Sequence, residues 1–151
     1  MGVEIERKWM PDKIPEEING IPGKDIIQGY LCTDPVVRIR KEGDKYTLTY
    51  KESGTVAREE YNLGLNEEAF MHLLPKCDGI LIEKTRYRVG LSDDLTAEVD
   101  LFHGTYEGRI YVEVEFRSEE EANAFCPPVW FGMEVTGLKG YSNAALSEGR
   151  S

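Results

Sequence analysis

The chain is poor in the residues that most often make nucleophile relays or bind transition metals. Its 151 residues include two histidines, His72 and His103, and three cysteines, Cys32, Cys77 and Cys126, with no C-x-x-C pair. An odd, scattered set of thiols builds neither a disulfide framework nor a zinc site, so free thiols in a reducing cytosol are expected. Two distant histidines leave a His-ligated metal or a His-based relay without material, and both are expected at the surface. No apolar run approaches the roughly 20 residues that cross a bilayer. Charge from Glu4 onward is unlike a secretory leader, so a cytoplasmic location without a membrane partner is expected. Basic residues are in deficit: 18 Lys and Arg against 28 Asp and Glu give a net charge of −10. That balance argues against a nucleic-acid partner, whose footprint is basic. Repeats, low-complexity tracts and linkers are also missing, and residues 1–151 read as a single domain.

What the chain does have is charge placed by parity. Alternate residues of a β-strand point to opposite faces. In Val3-Glu4-Ile5-Glu6-Arg7-Lys8-Trp9, Glu4, Glu6 and Lys8 therefore share one face, and Val3, Ile5 and Trp9 share the other. The arrangement recurs in later segments. Arg38 and Arg40 stand together, as do Thr47, Thr49 and Lys51, then Arg58 and Glu60, then Lys84, Arg86 and Arg88. Glu98 and Asp100 alternate with Val99 and Leu101, and Glu113 and Glu115 with Val112, Val114 and Phe116. A half-buried sheet with a wet face alternates in the same way. Ordinary wet faces mix signs on each strand, whereas here most strands carry one sign. Segregated signs suit a site with one cationic wall and one acidic wall.

The segments between are ordinary punctuation. Pro11 to Gly23 reads as a loop with a short turn near Glu16, and Glu42-Gly43-Asp44 as a hairpin between Val36–Lys41 and Lys45–Lys51. Strands are expected at Ile26–Leu31, Arg58–Leu63, Ile80–Val89, Leu95–Phe102 and Arg109–Arg117. Asn66 caps a helix over Glu67–Leu74, Ser118 caps one that ends before Pro127-Pro128, and Ser142 caps a third over Asn143–Leu146. About eight strands at hairpin spacing with three short helices predict a mainly β, α+β fold: an eight-stranded antiparallel closed barrel with flanking helices. Its interior is expected to be polar and its apolar strand faces to point outward.

Hard oxygen donors without His or Cys favour Mg²⁺, Mn²⁺ or Ca²⁺. Several Arg and Lys converging on one space call for an anion of high charge density, which the guanidinium fork matches. A polyphosphate carrying a divalent metal satisfies both walls, and the expected partner is such a small molecule. Nothing in the sequence sets an oligomeric state.

The segment Glu4-Ile5-Glu6-Arg7-Lys8 resembles the E-x-E-x-K signature of the CYTH superfamily, the triphosphate tunnel metalloenzymes. The likeness continues in order through Gln28-Gly29-Tyr30-Leu31, Arg38-Ile39-Arg40, Thr49-Tyr50-Lys51, Arg58-Glu59-Glu60, Lys84-Thr85-Arg86-Tyr87, Glu98-Val99-Asp100-Leu101-Phe102, Glu113-Val114-Glu115, Val135-Thr136-Gly137 and Tyr141-Ser142-Asn143. The resemblance implies an eight-stranded tunnel and hydrolysis of a terminal phosphoanhydride with one or two Mg²⁺ or Mn²⁺ ions. An inorganic triphosphatase is the activity expected first. Adenylate cyclisation, hydrolysis of nucleoside or thiamine triphosphate, and a non-catalytic polyphosphate-binding module are the alternatives.

The resemblance assigns Lys8, Arg38, Arg40, Lys51, Lys84 and Arg86 to the phosphate oxygens, with Arg58 on the same wall and Lys139 closing the site. It assigns Glu4, Glu6, Glu113 and Glu115 to the metal with Asp100, and makes Glu98 and Glu60 secondary candidates. Tyr30 with Lys84 occupies the positions of a water-activating pair, and Lys8 joins them as a catalytic candidate. Asn62 stands where the family often has a further acid.

Overall fold

The computed structural model describes residues 2–53 and 57–149. These contain strands β1 (Gly2–Met10), β2 (Lys24–Thr33), β3 (Val36–Glu42), β4 (Lys45–Lys51), β5 (Ala57–Leu65), β6 (Asp78–Gly90), β7 (Thr96–His103), β8 (Ile110–Glu115) and β9 (Met133–Glu134). Helices α1 (Glu67–Leu73), α2 (Glu119–Ala124) and α3 (Asn143–Ser147) punctuate them. The order β5-β4-β3-β2-β6-β7-β8-β1 returns on itself because β1 also pairs with β5, and this closes an antiparallel eight-stranded barrel. β1 makes the closure by dividing its length. Gly2 to Ile5 pair with β5 on one edge, and Glu6 to Trp9 pair with β8 on the other. The two-residue β9, not foreseen in the sequence, then pairs with Trp9 and Met10.

The helix caps follow the sequence. Asn66, Ser118 and Ser142 each accept a backbone N–H three residues on, from Ala69, Glu121 and Ala145. α1 ends one residue short of expectation and tightens into a 3-10 turn at Leu74–Lys76, because Pro75 has no N–H with which to continue an α-helix.

Strand parity sorts the side chains as expected. Ile5, Trp9, Val99, Val112 and Val114 face outward and are buried beneath Ala122 of α2, Phe131 and Ile18. Trp9 lies against Phe131 and Phe125, so its ring belongs to this outer core and not to the tunnel. On the far side Phe70 of α1 is buried beside Tyr46. α3 does something different. Its Leu146 packs with Tyr30, Ile82, Phe102 and Tyr111, which share strand faces with the tunnel's charges, so it seats an apolar floor under part of the barrel. Both histidines are exposed, and all three cysteines are free. Among the described residues no helix is long and apolar enough to cross a membrane.

Candidate functional site

The barrel encloses a cavity of about 1160 Å³. Its lining runs from Glu42, Lys45, Arg88 and Glu98 at one end to Thr33, Asp34, Ser53 and Glu148 at the other. Of the residues predicted from the sequence, Glu4, Glu6, Lys8, Tyr30, Arg38, Arg40, Lys51, Arg58, Glu60, Arg86, Glu98, Glu113, Glu115 and Lys139 all line it. The barrel thus gathers residues from strands more than a hundred positions apart.

Lys84 and Asp100 are placed differently. Both stand on the inward strand faces with the other charges but are almost wholly buried, joined by a 2.7 Å ion pair. Lys84 also donates to Asn143 of α3 at 3.1 Å, and Asp100 holds Arg86 through two hydrogen bonds of 2.7 and 2.9 Å. Burial pushes the Lys84 ammonium down to about 7 against the pull of Asp100. Burial would raise the Asp100 carboxyl, but Arg86 and Lys84 together hold it down to about 2. The expected Tyr30–Lys84 pair is therefore not bonded to itself here: the Tyr30 hydroxyl accepts from Gln28 at 3.2 Å, and the Lys84 ammonium is engaged elsewhere.

The two walls carry groups of opposite charge that the protein only partly pairs. On the acidic wall, register sets Glu6 beside Glu115, and Lys8 beside Glu113 beside Glu98. Burial and the carboxylates of Glu113 and Glu4 raise Glu6 to about 8. Burial with Glu4, Glu60 and Glu98 raises Glu115 to about 7. Cations inside the wall relieve part of this. Lys51 lies 3.0 Å from Glu4, and Arg58 lies 3.0 and 3.1 Å from Glu4 and Glu6. Burial lowers Lys8, yet Glu113 and Glu6 outweigh it and leave the group above the usual lysine range.

On the opposite wall Arg38 and Arg40 have no ion pair among the described residues. Burial, Arg38 and Arg86 push Arg40 down to about 9, a large displacement for a guanidinium. Arg38 is buried, its Nε has no hydrogen-bond partner, and its Nη2 donates to Thr49 at 3.3 Å. Thr49 in turn donates to Asn62 at 2.6 Å, and Asn62 donates to Glu60 at 3.0 Å. An amide at Asn62 can accept and donate at once, which a carboxylate there could not do.

The donor chemistry fits a hard divalent cation: carboxylates without His or Cys, with Glu6 and Glu115 crowded enough by burial and neighbouring acids to hold their protons in the absence of a cation. Among the described residues no three acids are already gathered as a ligand set, since Glu4 and Glu6 are turned towards Arg58. Sequence reasoning assigned no role to Gln28, Asn143 or Thr49, which orient the charged groups. Each is polar on a tunnel-facing or capping position, a signal too common to single them out alone.

Residues 3–126 match the family model described as the CYTH domain. An inorganic triphosphatase of Nitrosomonas europaea is 42% identical over 148 residues, with 95% of this chain and 96% of that protein covered. One from Acetivibrio thermocellus is 34% identical over 159 residues, covering 97% and 94%. A crystal structure of an inorganic triphosphatase superposes with a TM-score of 0.70 at 39% identity, covering 98% of this chain and 96% of the other. A closed barrel with charges of both signs turned inward, matched in sequence from the first strand to the second helix, places this chain in the CYTH family.

Proposed function

We propose that this protein hydrolyses the terminal phosphoanhydride of inorganic triphosphate inside its barrel, with Mg²⁺ or Mn²⁺ as the cofactor. One observation carries the reading: Arg38 and Arg40, without an ion pair among the described residues, face an overcrowded set of carboxylates across one cavity. A polyanion neutralises the first wall and a divalent cation the second, so a metal-bound triphosphate relieves both. The relatives named inorganic triphosphatase support the same substrate.

Phosphoryl transfer depends on positioning and on stabilising charge more than on covalent chemistry. Arg38 and Arg40 would bind oxygens of the phosphate chain and absorb charge that develops on the leaving diphosphate. Arg86 would serve beside them, its guanidinium fixed by Asp100, which is paired with Lys84, itself bonded to Asn143. Lys8 and Lys51, lodged among the acids, would meet the substrate where the two walls join, with Lys139 at the exposed rim. Glu4, Glu6, Glu113 and Glu115 would hold the metal, with Glu98 and Glu60 alongside. When bound, the cation would polarise phosphate oxygens and make attack by water easier. Three free thiols suit a cytoplasmic setting.

The test is phosphate release from tripolyphosphate, ATP, thiamine triphosphate and pyrophosphate, each with Mg²⁺, Mn²⁺ or EDTA. Release from tripolyphosphate that EDTA abolishes is the expected result. Cyclic AMP as the product from ATP would replace the hydrolase with a cyclase. Binding of tripolyphosphate without turnover would make the barrel a binding module.

A further inference from the structure

Gln28 is wholly buried in β2, with no exposed surface, and bridges two side chains that line the cavity. Its Oε1 accepts from Arg40 Nε at 2.8 Å, and its Nε2 donates to the Tyr30 hydroxyl at 3.2 Å. The direction of both bonds is set by chemistry. A guanidinium N–H can only donate, so the carboxamide oxygen must face Arg40 and the amino end must face Tyr30. A phenol that accepts in this way keeps its own proton for another partner. Among the described residues no protein acceptor takes that proton, and the Tyr30 side chain borders the cavity.

The backbone accounts for the bridge. Gln28 and Tyr30 are two apart, so their side chains share a face. Gly29 between them is packed so closely that a Cβ there would lie 2.6 Å from the Cys77 sulfur. The β2–β6 register shifts between Gln28 and Tyr30, and the β2–β3 register shifts between Tyr30 and Cys32.

We propose that Gln28 is a positioning residue that locks the Arg40 guanidinium and, through its amide N–H, commits the Tyr30 hydroxyl to donate into the cavity, to an oxygen of the bound triphosphate. The inference rests on the triphosphatase reading. It makes Tyr30 a hydrogen-bond donor to substrate, with its proton direction set by a side chain the substrate never touches.

Gln28→Glu separates this role from simple packing. The carboxylate is nearly isosteric and can still accept from Arg40, but it has no N–H. Tyr30 would then donate to residue 28, and its proton would turn away from the cavity. Loss of one hydrogen bond to a charged group corresponds to roughly 10- to 100-fold in kcat/KM for tripolyphosphate, the range expected for Gln28→Glu in the parent. In a Tyr30→Phe background the same exchange has no hydroxyl to redirect, and its cost is expected to fall to about threefold or less, the residue of added negative charge. Equal costs in the two backgrounds would overturn the proposal, since packing or charge effects do not require the hydroxyl. Should Gln28→Glu fail to fold, as judged by circular dichroism and its melting temperature, Tyr30→Phe alone decides. A loss of about tenfold or more supports the donor role, and unchanged kcat/KM refutes it. A parent inactive on tripolyphosphate would sink the triphosphatase reading and this inference with it. An active parent with additive mutants sinks this inference alone.

Discussion

Crowded carboxylates on the acidic wall should make the metal-free protein lose stability as the pH rises from 5 to 7. Glu6 is raised from 4.5 to about 8, chiefly by burial and then by Glu113 and Glu4. Glu115 is raised to about 7, by burial and by Glu4, Glu60 and Glu98. Because the folded-state values are raised, the unfolded chain releases these protons first, and the folded chain binds more protons across this window. Stability therefore falls with pH, by about 1.4 kcal/mol per unit for each fully retained proton. Over two units Glu6 would account for roughly 2 kcal/mol, allowing for the 18% of its side chain that meets solvent. Glu115, whose side chain is far more exposed, would add on the order of 0.5 kcal/mol.

Competing groups contribute little in this window. Asp100, Glu4 and Glu113 are held below 4.5, so their stabilising ionisation is already complete by pH 5. Lys84, lowered to about 7, adds stability as the pH climbs through that value, offsetting roughly 0.4 kcal/mol by pH 7 and more above it. For a chain of this size each kcal/mol is worth about 2–4 °C, so the melting temperature in EDTA should drop by about 5–10 °C between pH 5 and pH 7. On the proposed reading, a divalent cation would take over the role of the protons. At 100 times its dissociation constant it should return about 2.7 kcal/mol at pH 7 and much less at pH 5. Thermal unfolding at three pH values with EDTA or Mg²⁺ reads both effects. A melting temperature in EDTA that is flat or rises from pH 5 to 7, or a Mg²⁺ shift as large at pH 5 as at pH 7, would refute the account of the acidic wall.

Other expectations bear on the two walls and on the scaffold. Arg40→Ala and Glu115→Gln should each lower tripolyphosphate turnover by ~10²–10³, by analogy with the loss of one oxyanion donor; steady-state phosphate release at saturating metal checks both, and parent-like rates would remove these residues from the site. Gly79 has φ +65°, and a Cβ there would lie 2.1 Å from the Ser147 carbonyl oxygen. Gly79→Ala should therefore lower stability by roughly 1–3 kcal/mol and loosen α3, seen as a lower melting temperature and faster proteolysis at the C-terminal end. Trp9→Ala empties the outer core between β1 and Phe131, and should cost about 3–5 kcal/mol with little change in KM at a temperature where the variant is folded; urea unfolding and kinetics at 15–20 °C (roughly the temperature of maximum stability) measure the two.

The sequence by itself determined which side chains share a face, because strand geometry repeats every two residues wherever the strands pair. From that alone come the rows Glu4-Glu6-Lys8, Arg38-Arg40 and Glu113-Glu115, their segregation by sign, and the outward apolar faces. Turn and cap chemistry placed the helices to within a residue or two, as at Asn66 and Ser118. Only the tertiary structure decided which row meets which. Closure of β1 on β5 brings Arg58 to Glu4, and barrel register seats Glu6 beside Glu115. Long-range contacts also buried Lys84 against Asp100 and Asn143, set Gln28 between Arg40 and Tyr30, and laid α3 under the tunnel. Parity is local and travels with the chain. Charge pairing, burial and the proton held by a crowded carboxylate depend on distances between residues tens of positions apart, and those exist only once the barrel has closed.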